Sequence, residues 1–194
     1  MSKGMFEILW HGRGGQGAKT AATMVAHTAM ETGQYSQGFP EYGPERMGAP
    51  IKGYTRISKK PITVHCGITN PEAVVVMDPT LLDAIDVTEG TDKKTVFIVN
   101  TRLAPAEIRE KLNLKDGKVY TVDATQIAID EIGRPIPNVP LIGALVKVTD
   151  LLPLEGCKKD ITKKFEAKFG SKMVEGNIKA LERGYGEVKG EQDS

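Results

Sequence analysis

The run Phe6-Glu7-Ile8-Leu9-Trp10 leads into His11-Gly12-Arg13-Gly14-Gly15-Gln16-Gly17 near the start of the chain. The apolar run predicts a short strand, and the glycines that follow predict a tight turn. From Ala18 onward small apolar residues recur at steps of three and four until Gly33, which predicts a helix with one narrow face. Strand, glycine turn and helix in this order are typical of a Rossmann-like unit.

Three later runs of β-branched and aromatic residues predict further strands, each followed by a helical pattern. The predicted strands are 73–77, 96–99 and 119–122, and the predicted helices are 81–85, 105–112 and 126–132. Apolar strands that alternate with helices indicate strands buried on both faces. The sequence therefore predicts an α/β, Rossmann-like fold with a mainly parallel sheet flanked by helices.

Two other segments interrupt this alternation. From Ile51 to Val64 polar and apolar residues alternate until Lys59-Lys60-Pro61, which predicts an exposed strand, with a hairpin to Ile62–Cys66 as one arrangement. The three prolines of Gly133–Pro140 predict a stiff extended connection. Leu141–Leu152 then predicts an apolar helix.

The C-terminal part differs in composition from the rest. We expect one Rossmann-like domain over residues 1–152 and a helical C-terminal extension over residues 153–194, packed on the same domain or on a partner. From Gly184 to Ser194 apolar residues are few, so this end is expected to be disordered or to fold only with a partner.

Composition and charge exclude several classes of function. The 194 residues are 40% hydrophobic, which suits one sizeable core, and 26 Lys and Arg against 25 Asp and Glu give a net charge of +1. Such a chain has no basic field to attract nucleic acid or anionic lipid. With no run of transmembrane length and no signal-peptide pattern, a soluble cytoplasmic protein is expected.

Cysteine and histidine are too few and too scattered for a metal site. Cys66 and Cys157 form no C-x-x-C pair, and His11, His27 and His65 share no ligand spacing. We therefore expect neither a metal site nor an iron–sulfur cluster in this chain. No residue receives a catalytic role from its chemistry.

The first motif, G-x-G-x-x-G, lies at Gly12-Arg13-Gly14-Gly15-Gln16-Gly17, between the predicted strand and helix. Amides at a helix N-terminus favour an anion, and Arg13 and Lys19 add positive charge. Two other interpretations remain open. The glycines would equally let helix and strand approach closely. A nicotinamide site is disfavoured, because the predicted second strand near Tyr35–Gly38 ends without the acid that binds ribose.

The second motif is Phe39-Pro40-Glu41-Tyr42-Gly43-Pro44-Glu45-Arg46-Met47-Gly48-Ala49-Pro50. Its prolines and glycines predict an irregular loop. Surface loops seldom carry Phe, Tyr and Met together, so a shaped binding loop is favoured over a surface excursion of no consequence. We predict that it lies beside the glycine loop, which is residues Gly12 to Gly17, at the carboxyl ends of the strands.

The two motifs in this order resemble the gamma subunit family of pyruvate and other 2-oxoacid:ferredoxin oxidoreductases. The resemblance continues through Asp78-Pro79, the run from Val96, Asn138 and Leu141–Ala144, to about Leu152. Twelve positions match the family motifs: Gly12, Arg13, Gly14, Gly15, Gln16, Gly17, Glu41, Tyr42, Gly43, Glu45, Arg46 and Gly48. The ending Ala49-Pro50 resembles the pyruvate-type members most.

The resemblance implies a complex that oxidatively decarboxylates a 2-oxoacid, passes electrons to ferredoxin and releases an acyl-coenzyme A. Thiamine diphosphate, magnesium and the iron–sulfur clusters would belong to alpha, beta and delta-type subunits, and this chain would itself be non-catalytic. Residues Gly12 to Gly17 with Lys19 would help to hold coenzyme A. Docking onto a larger subunit would use Phe39, Glu41, Tyr42, Glu45, Arg46 and Met47.

Two other functions compete with this interpretation. A stand-alone Rossmann-type nucleotide-binding protein is disfavoured by the missing ribose acid. A pure assembly scaffold is disfavoured by the aromatic-rich second motif, which should face a partner or a ligand. The sequence does not determine the 2-oxoacid or the stoichiometry of the complex.

Overall fold

The computed structural model describes residues 4–41 and 48–191, which form one mixed sheet with helices on both faces. The strands are β1 (Met5–Arg13), β2 (Tyr35–Glu41), β3 (Pro50–Ser58), β4 (Ala73–Val76), β5 (Val96–Asn100), β6 (Lys118–Val122) and β7 (Lys189–Gly190). The helices are α1 (Ala18–Glu31), α2 (Leu81–Ala84), α3 (Pro105–Lys111), α4 (Ala124–Ile132), α5 (Asn138–Thr149), α6 (Leu154–Phe169) and α7 (Ser171–Glu187).

The strands lie in the order β2-β3-β1-β4-β5-β6-β7. The adjacent strands β1, β4, β5 and β6 run parallel to one another. Strand β3 is antiparallel to both β1 and β2, and β7 is antiparallel to β6. The predicted α/β fold with a mainly parallel sheet is confirmed. From β1 the chain moves to one side of the sheet, and from β4 it moves to the other. Open α/β sheets have their ligand crevice at such a point, which here lies between the carboxyl ends of β1 and β4.

Two apolar clusters hold the layers together. The larger cluster packs α1, α4, α5, α6 and α7 on one face of the sheet, with Trp10 and Leu141 fully buried in it. The smaller cluster packs α2 and α3 on the other face around Phe97 and Ile108. The short apolar strands β4, β5 and β6 contribute to both clusters, which explains their near-continuous hydrophobic sequences.

Glycines allow the closest contacts of the larger layer. A side chain at Gly38 would lie 2.6 Å from the carbonyl oxygen of Ala22, so β2 and α1 meet backbone to backbone. In the same way Gly143 of α5 and Gly184 of α7 face backbone carbonyls of the opposite helix, at 2.1 and 2.0 Å from the position of an added Cβ. These contacts fix α1 on the hairpin formed by β2 and β3, and they fix α7 on α5.

The strand predicted within Ile51–Val64 is present, but the prediction that it is exposed is wrong. Residues 50–58 form β3, which lies between β1 and β2, and residues 53–58 are buried. The suggested partner segment, residues 62–66, forms no strand and crosses the surface as irregular chain. Part of the second motif is also regular, because Phe39 to Glu41 belong to β2 and Pro50 begins β3.

Two predictions about the later chain are wrong as well. The proline-rich connection is extended only in part, because α5 begins at Asn138 and takes Pro140 into its first turn, where a missing N–H costs nothing. At the C-terminal end α7 continues to Glu187, and Lys189 and Gly190 pair with β6. The guanidinium of Arg109 holds the carboxylate of Glu191 there. Residues 192–194 lie outside the described residues.

Among residues 4–41 and 48–191, no helix has the length and apolar character needed to cross a bilayer.

Candidate functional site

The glycine loop joins β1 to α1 and keeps the predicted strand–turn–helix context, which is confirmed. Gly15 and Gly17 have φ angles of 99° and 85°, which favour glycine. The loop is closed internally, since the backbone N–H of Arg13 donates to the side-chain oxygen of Gln16 over 2.8 Å. The N–H of Gln16 donates back to the carbonyl of Arg13 over 3.1 Å.

Helix α1 presents an open N-terminus to the crevice. Gly17 is its N-cap, no side chain of the described residues caps its first turn, and that turn contains no acidic residue. A Cβ on Gly17 would lie 2.6 Å from the side-chain nitrogen of Asn138, so the loop also packs against the start of α5. Because the positive end of the helix dipole is open and Lys19 on the first turn is exposed, the site favours an anion.

Arg13 links the glycine loop to its two neighbours in the crevice. Its Nε and Nη2 donate to the hydroxyl of Thr80 over 3.2 and 2.9 Å, and its Nη1 donates to the carbonyl of Gly48 over 3.0 Å. Its Nε also lies 3.4 Å from a carboxylate oxygen of Asp78. A guanidinium has five N–H donors, and bonds to described residues use three of them on a side chain that is 28% exposed.

The second motif meets the glycine loop at its described end. Ala49 accepts a long backbone hydrogen bond of 3.4 Å from Gly14, and Pro50 is the β3 partner of Arg13. The described ends of the two motifs therefore lie side by side. The candidate interface residues Tyr42, Glu45, Arg46 and Met47 lie outside the described residues.

Phe39 and Glu41, the two described candidate interface residues, make contacts within the chain. The Phe39 ring lies 5.2 Å from the Tyr54 ring, with the Arg56 guanidinium 5.7 Å above it. The Glu41 carboxylate accepts a short hydrogen bond from the Tyr54 hydroxyl. Burial, followed by this bond, raises the pKa of Tyr54. Both candidates thus stabilise the hairpin formed by β2 and β3.

His11 lies two residues before Arg13 on β1 and is only 2% exposed. Neither ring nitrogen has a hydrogen-bond partner among the described residues. Burial, together with the charge of Lys52, lowers the pKa of His11 to about 4. The imidazole is therefore neutral at physiological pH.

Three residues that contact the glycine loop or Arg13 were not predicted as site residues: Asp78, Thr80 and Asn138. The structure brings Asp78 and Thr80 to the glycine loop because β4 is the parallel neighbour of β1. Asp-Pro-Thr directly after an apolar run was a usable signal, since polar turn residues at the carboxyl end of a buried strand often face a ligand crevice. What was missing was the knowledge that β1 and β4 are adjacent.

A second cleft of about 960 Å³ lies further along the carboxyl edge, between the ends of β5 and β6 and the end of α7. Arg102 borders it but donates to Asp123 and Gln126. Its lining includes Glu107 and Glu187 as well, so this cleft presents no excess positive charge. The crevice between β1 and β4 is the stronger candidate for an anion site.

The described residues contain no group of three or more His, Cys, Asp or Glu that suits a metal ion. Cys66 is exposed, whereas Cys157 is buried in α6. Two cysteines in the whole sequence are fewer than the four that an iron–sulfur cluster takes. The chain therefore does not fit such a cluster.

Comparison with known proteins gives consistent results. The model of the family described as pyruvate ferredoxin/flavodoxin oxidoreductase matches residues 7–187. Pyruvate synthase subunit PorC of Thermotoga maritima is 48% identical over 189 residues, which is 97% of each chain. The pyruvate/ketoisovalerate oxidoreductases common subunit gamma of Thermococcus kodakarensis is 46% identical, over 93% of this chain and 96% of the relative.

A solved structure leads to the same result. The crystal structure of pyruvate oxidoreductase subunit PORC from Thermotoga maritima superposes with a TM-score of 0.86 at 45% identity, covering 97% of this chain and 99% of the other. These findings confirm the resemblance that the two motifs indicated. They give no support to a stand-alone nucleotide-binding protein.

Proposed function

Since the chain belongs to the pyruvate ferredoxin/flavodoxin oxidoreductase family as a gamma-type subunit, we propose that its complex oxidises pyruvate and that this chain supplies an anion-binding loop for coenzyme A. Pyruvate is supported by the names of the relatives and by the Ala49-Pro50 ending of the second motif. One relative is named as the common gamma subunit of pyruvate and ketoisovalerate oxidoreductases, so 2-ketoisovalerate is the substrate to compare with pyruvate.

One observation supports the coenzyme A part above the others: the open N-terminus of α1, flanked by Arg13 and Lys19. Coenzyme A carries several phosphates, and phosphates bind at helix N-termini beside basic side chains. The guanidinium of Arg13 and the ammonium of Lys19 carry the positive charge that a phosphate requires. Coenzyme A would in this way be held by its phosphates, which do not react when the thioester forms.

The remaining chemistry requires other chains. Thiamine diphosphate, magnesium and the iron–sulfur clusters are proposed to lie on alpha, beta and delta-type subunits, from which electrons pass to ferredoxin. The isolated chain should accordingly be colourless and unable to oxidise pyruvate. This proposal agrees with a sequence that contains only two cysteines.

The second motif is proposed to dock this subunit onto a larger one. Phe39, Tyr42 and Met47 supply apolar area of the kind found at interface centres, whereas Glu41, Glu45 and Arg46 supply charges for a polar rim. The proposal is supported by Gly48 and Ala49, whose carbonyl oxygens accept hydrogen bonds from Arg13 and Gly14 of the glycine loop.

The test is steady-state kinetics on the assembled complex carrying Lys19→Ala, with coenzyme A and pyruvate titrated separately. Loss of one charge-assisted contact should raise the KM for coenzyme A about tenfold and leave the KM for pyruvate unchanged. Lys115→Ala removes a matched exposed lysine far from the crevice and should change neither value. Unchanged KM values in an intact Lys19→Ala complex would contradict the proposed role of the loop.

The substrate is tested in the same assay by comparing kcat/KM for pyruvate with kcat/KM for 2-ketoisovalerate. A clear preference for pyruvate is expected. Equal values, or a preference for the branched substrate, would overturn the pyruvate assignment without affecting the coenzyme A site.

A further inference from the structure

The carboxylate of Asp78, at the end of β4, is where three segments of the crevice meet. One oxygen, Oδ1, accepts from the backbone N–H of Thr80 over 2.9 Å and from its hydroxyl over 2.6 Å. The other oxygen, Oδ2, accepts from the side-chain amide of Gln16 over 2.7 Å and lies 3.4 Å from Nε of Arg13. The side chain is only 13% exposed.

A local turn explains only half of these contacts. Aspartate commonly accepts from the residue two positions later, and the bonds to Thr80 are of this kind. The contacts with Gln16 and Arg13 are not, because they come from a loop more than sixty residues earlier in the chain. Those contacts connect β4 to the glycine loop.

Gln16 connects the carboxylate of Asp78 to the backbone of the glycine loop. Its amide nitrogen donates to Asp78 while its amide oxygen accepts from the N–H of Arg13, so both ends of the amide are fixed. Arg13 is held at the same time by Thr80, whose hydroxyl is itself oriented by Asp78. These links between β4 and the loop thus involve the carboxylate directly or through one residue.

The carboxylate is also kept ionised. Burial opposes ionisation, but hydrogen bonds from Thr80 and Gln16 and the charge of Arg13 together lower the pKa of Asp78. An ionised acceptor is needed here because all four groups that face it are donors. The negative charge of Asp78 is offset by the guanidinium of Arg13 3.4 Å away, and the carboxylate orients that guanidinium.

We propose that Asp78 is a positioning residue, which holds the glycine loop and Arg13 in the geometry that binds a phosphate of coenzyme A. This inference rests on the proposed function of the loop. Asp78 itself does not touch the ligand in this proposal; it acts through Gln16 and Arg13.

The test is Asp78→Asn in the assembled complex, a change that preserves size but places an amide where an ionised acceptor is required. Hydrogen exchange of the amides in residues 12–17 should become faster, because the loop loses its link to β4. The KM for coenzyme A should rise about tenfold, and the KM for pyruvate should not change.

Asp86→Asn is a closely matched control. Asp86 accepts from the N–H and hydroxyl of Thr88 over 2.8 and 2.6 Å, the same local turn that Asp78 makes with Thr80, but it accepts no hydrogen bond from Arg13 or Gln16. The control should leave both the exchange of residues 12–17 and the KM for coenzyme A unchanged. Equal effects of the two substitutions would overturn the inference, since they would trace the effect to the turn alone.

A rescue variant sharpens the test. In Asp78→Asn combined with Gln16→Glu, the roles of donor and acceptor are exchanged, so that the new carboxylate on the loop would accept both from the new amide on β4 and from the N–H of Arg13. Slow exchange of residues 12–17 should return. Failure of the double variant to slow exchange, in a complex that assembles normally, would contradict the link through residue 16.

The two proposals fail in different ways. If Lys19→Ala raises the KM for coenzyme A and Asp78→Asn does not, the loop binds coenzyme A and the role of Asp78 is refuted. If Asp78→Asn loosens the loop while neither variant changes the KM for coenzyme A, the assignment of the ligand is wrong, and the role of Asp78 in binding it is overturned with it.

Discussion

The two faces of the sheet half formed by β2, β3 and β1 are held by different forces. The face towards α1 is apolar and closely packed: Trp10 is fully buried, and Gly38 lets the strand touch the helix backbone. The opposite face carries buried polar groups, with the guanidinium of Arg56 paired to the carboxylate of Glu7 and neutral His11 beside them on β1. It is covered largely by the irregular chain around residues 59–70.

This difference separates stabilisation by shape from stabilisation by pairing. A closely packed face tolerates no added atom, whereas a paired polar face tolerates no removed partner. Four substitutions test the contrast, each by denaturant unfolding of the full chain.

The largest effect is expected on the polar face from Arg56→Met. Arg56 is 1% exposed, and its Nε donates to Glu7 over 2.8 Å while its Nη2 donates to the carbonyl of Gly67 over 3.1 Å. Removing it takes this cation away from the buried carboxylate of Glu7, so the free energy of unfolding should fall by about 3–5 kcal/mol. Adding Glu7→Leu should recover part of that loss, and a double variant no more stable than the single one would contradict the argument.

On the apolar face, Gly38→Ala adds one methyl group where none fits. The new Cβ would lie 2.6 Å from the Ala22 carbonyl and 2.9 Å from Thr23 Cα, both on the backbone of α1. The strand must shift, and the free energy of unfolding should fall by about 2–3 kcal/mol. Gly186→Ala is the control, because this exposed helical glycine has open space and the change should stabilise the chain slightly. Equal behaviour of both variants would refute the close contact.

His11 makes the polar face sensitive to acid. Its pKa is about 4 in the fold and 6.5 when unfolded, so between these values the unfolded chain binds the proton more readily. Stability contributed by the neutral ring is therefore present above pH 6.5 and is lost as the pH falls towards 4. The free energy of unfolding should drop by about 2 kcal/mol between about pH 7 and pH 5, and His11→Leu should remove this part of the drop.

His65→Leu, at an exposed histidine, serves as the control and should retain the wild-type pH dependence. If His11→Leu loses stability over the same pH range as steeply as the wild type, burial of the ring is not the cause.

The smallest effect concerns a polar side chain on the apolar face. Thr55 accepts from the indole N–H of Trp10 and donates to the carbonyl of Ala22, each over 3.0 Å. Thr55→Val preserves shape but leaves the indole N–H without its acceptor, so the free energy of unfolding should fall by about 1–2 kcal/mol. Thr63→Val at an exposed position should have little effect. If Thr55→Val lowered the free energy of unfolding as much as Arg56→Met does, the proposed difference between the two faces would be contradicted.

How far the sequence predicts this fold depends on the range of the interactions. The glycine loop and the strands β4, β5 and β6 are recognisable because a few neighbouring residues determine them. The place of β3 is not, because its polar residues predict exposure. The buried charge of Arg56 is paired with Glu7, which lies 49 positions earlier.

The same reason explains the incomplete prediction of the site. Gly12 to Gly17 follow from a local motif, whereas Asp78 joins them only once β1 and β4 are adjacent. The C-terminal end, expected to be disordered, is ordered by an edge strand of the sheet and by Arg109, which lies 82 positions before its partner Glu191. Long-range pairing of this kind leaves no periodic pattern in the sequence.

The two ends of the sheet have a consequence for the chain before it is assembled. An open edge strand can pair with a strand of another chain, and repeated pairing of this kind leads to aggregation. A subunit that has not yet bound its partners is exposed to this risk. Here β7 is two residues long, and at the other end Pro40 removes a backbone donor from β2. Both ends are poor templates, so the unassembled chain is protected from polymerising through its sheet.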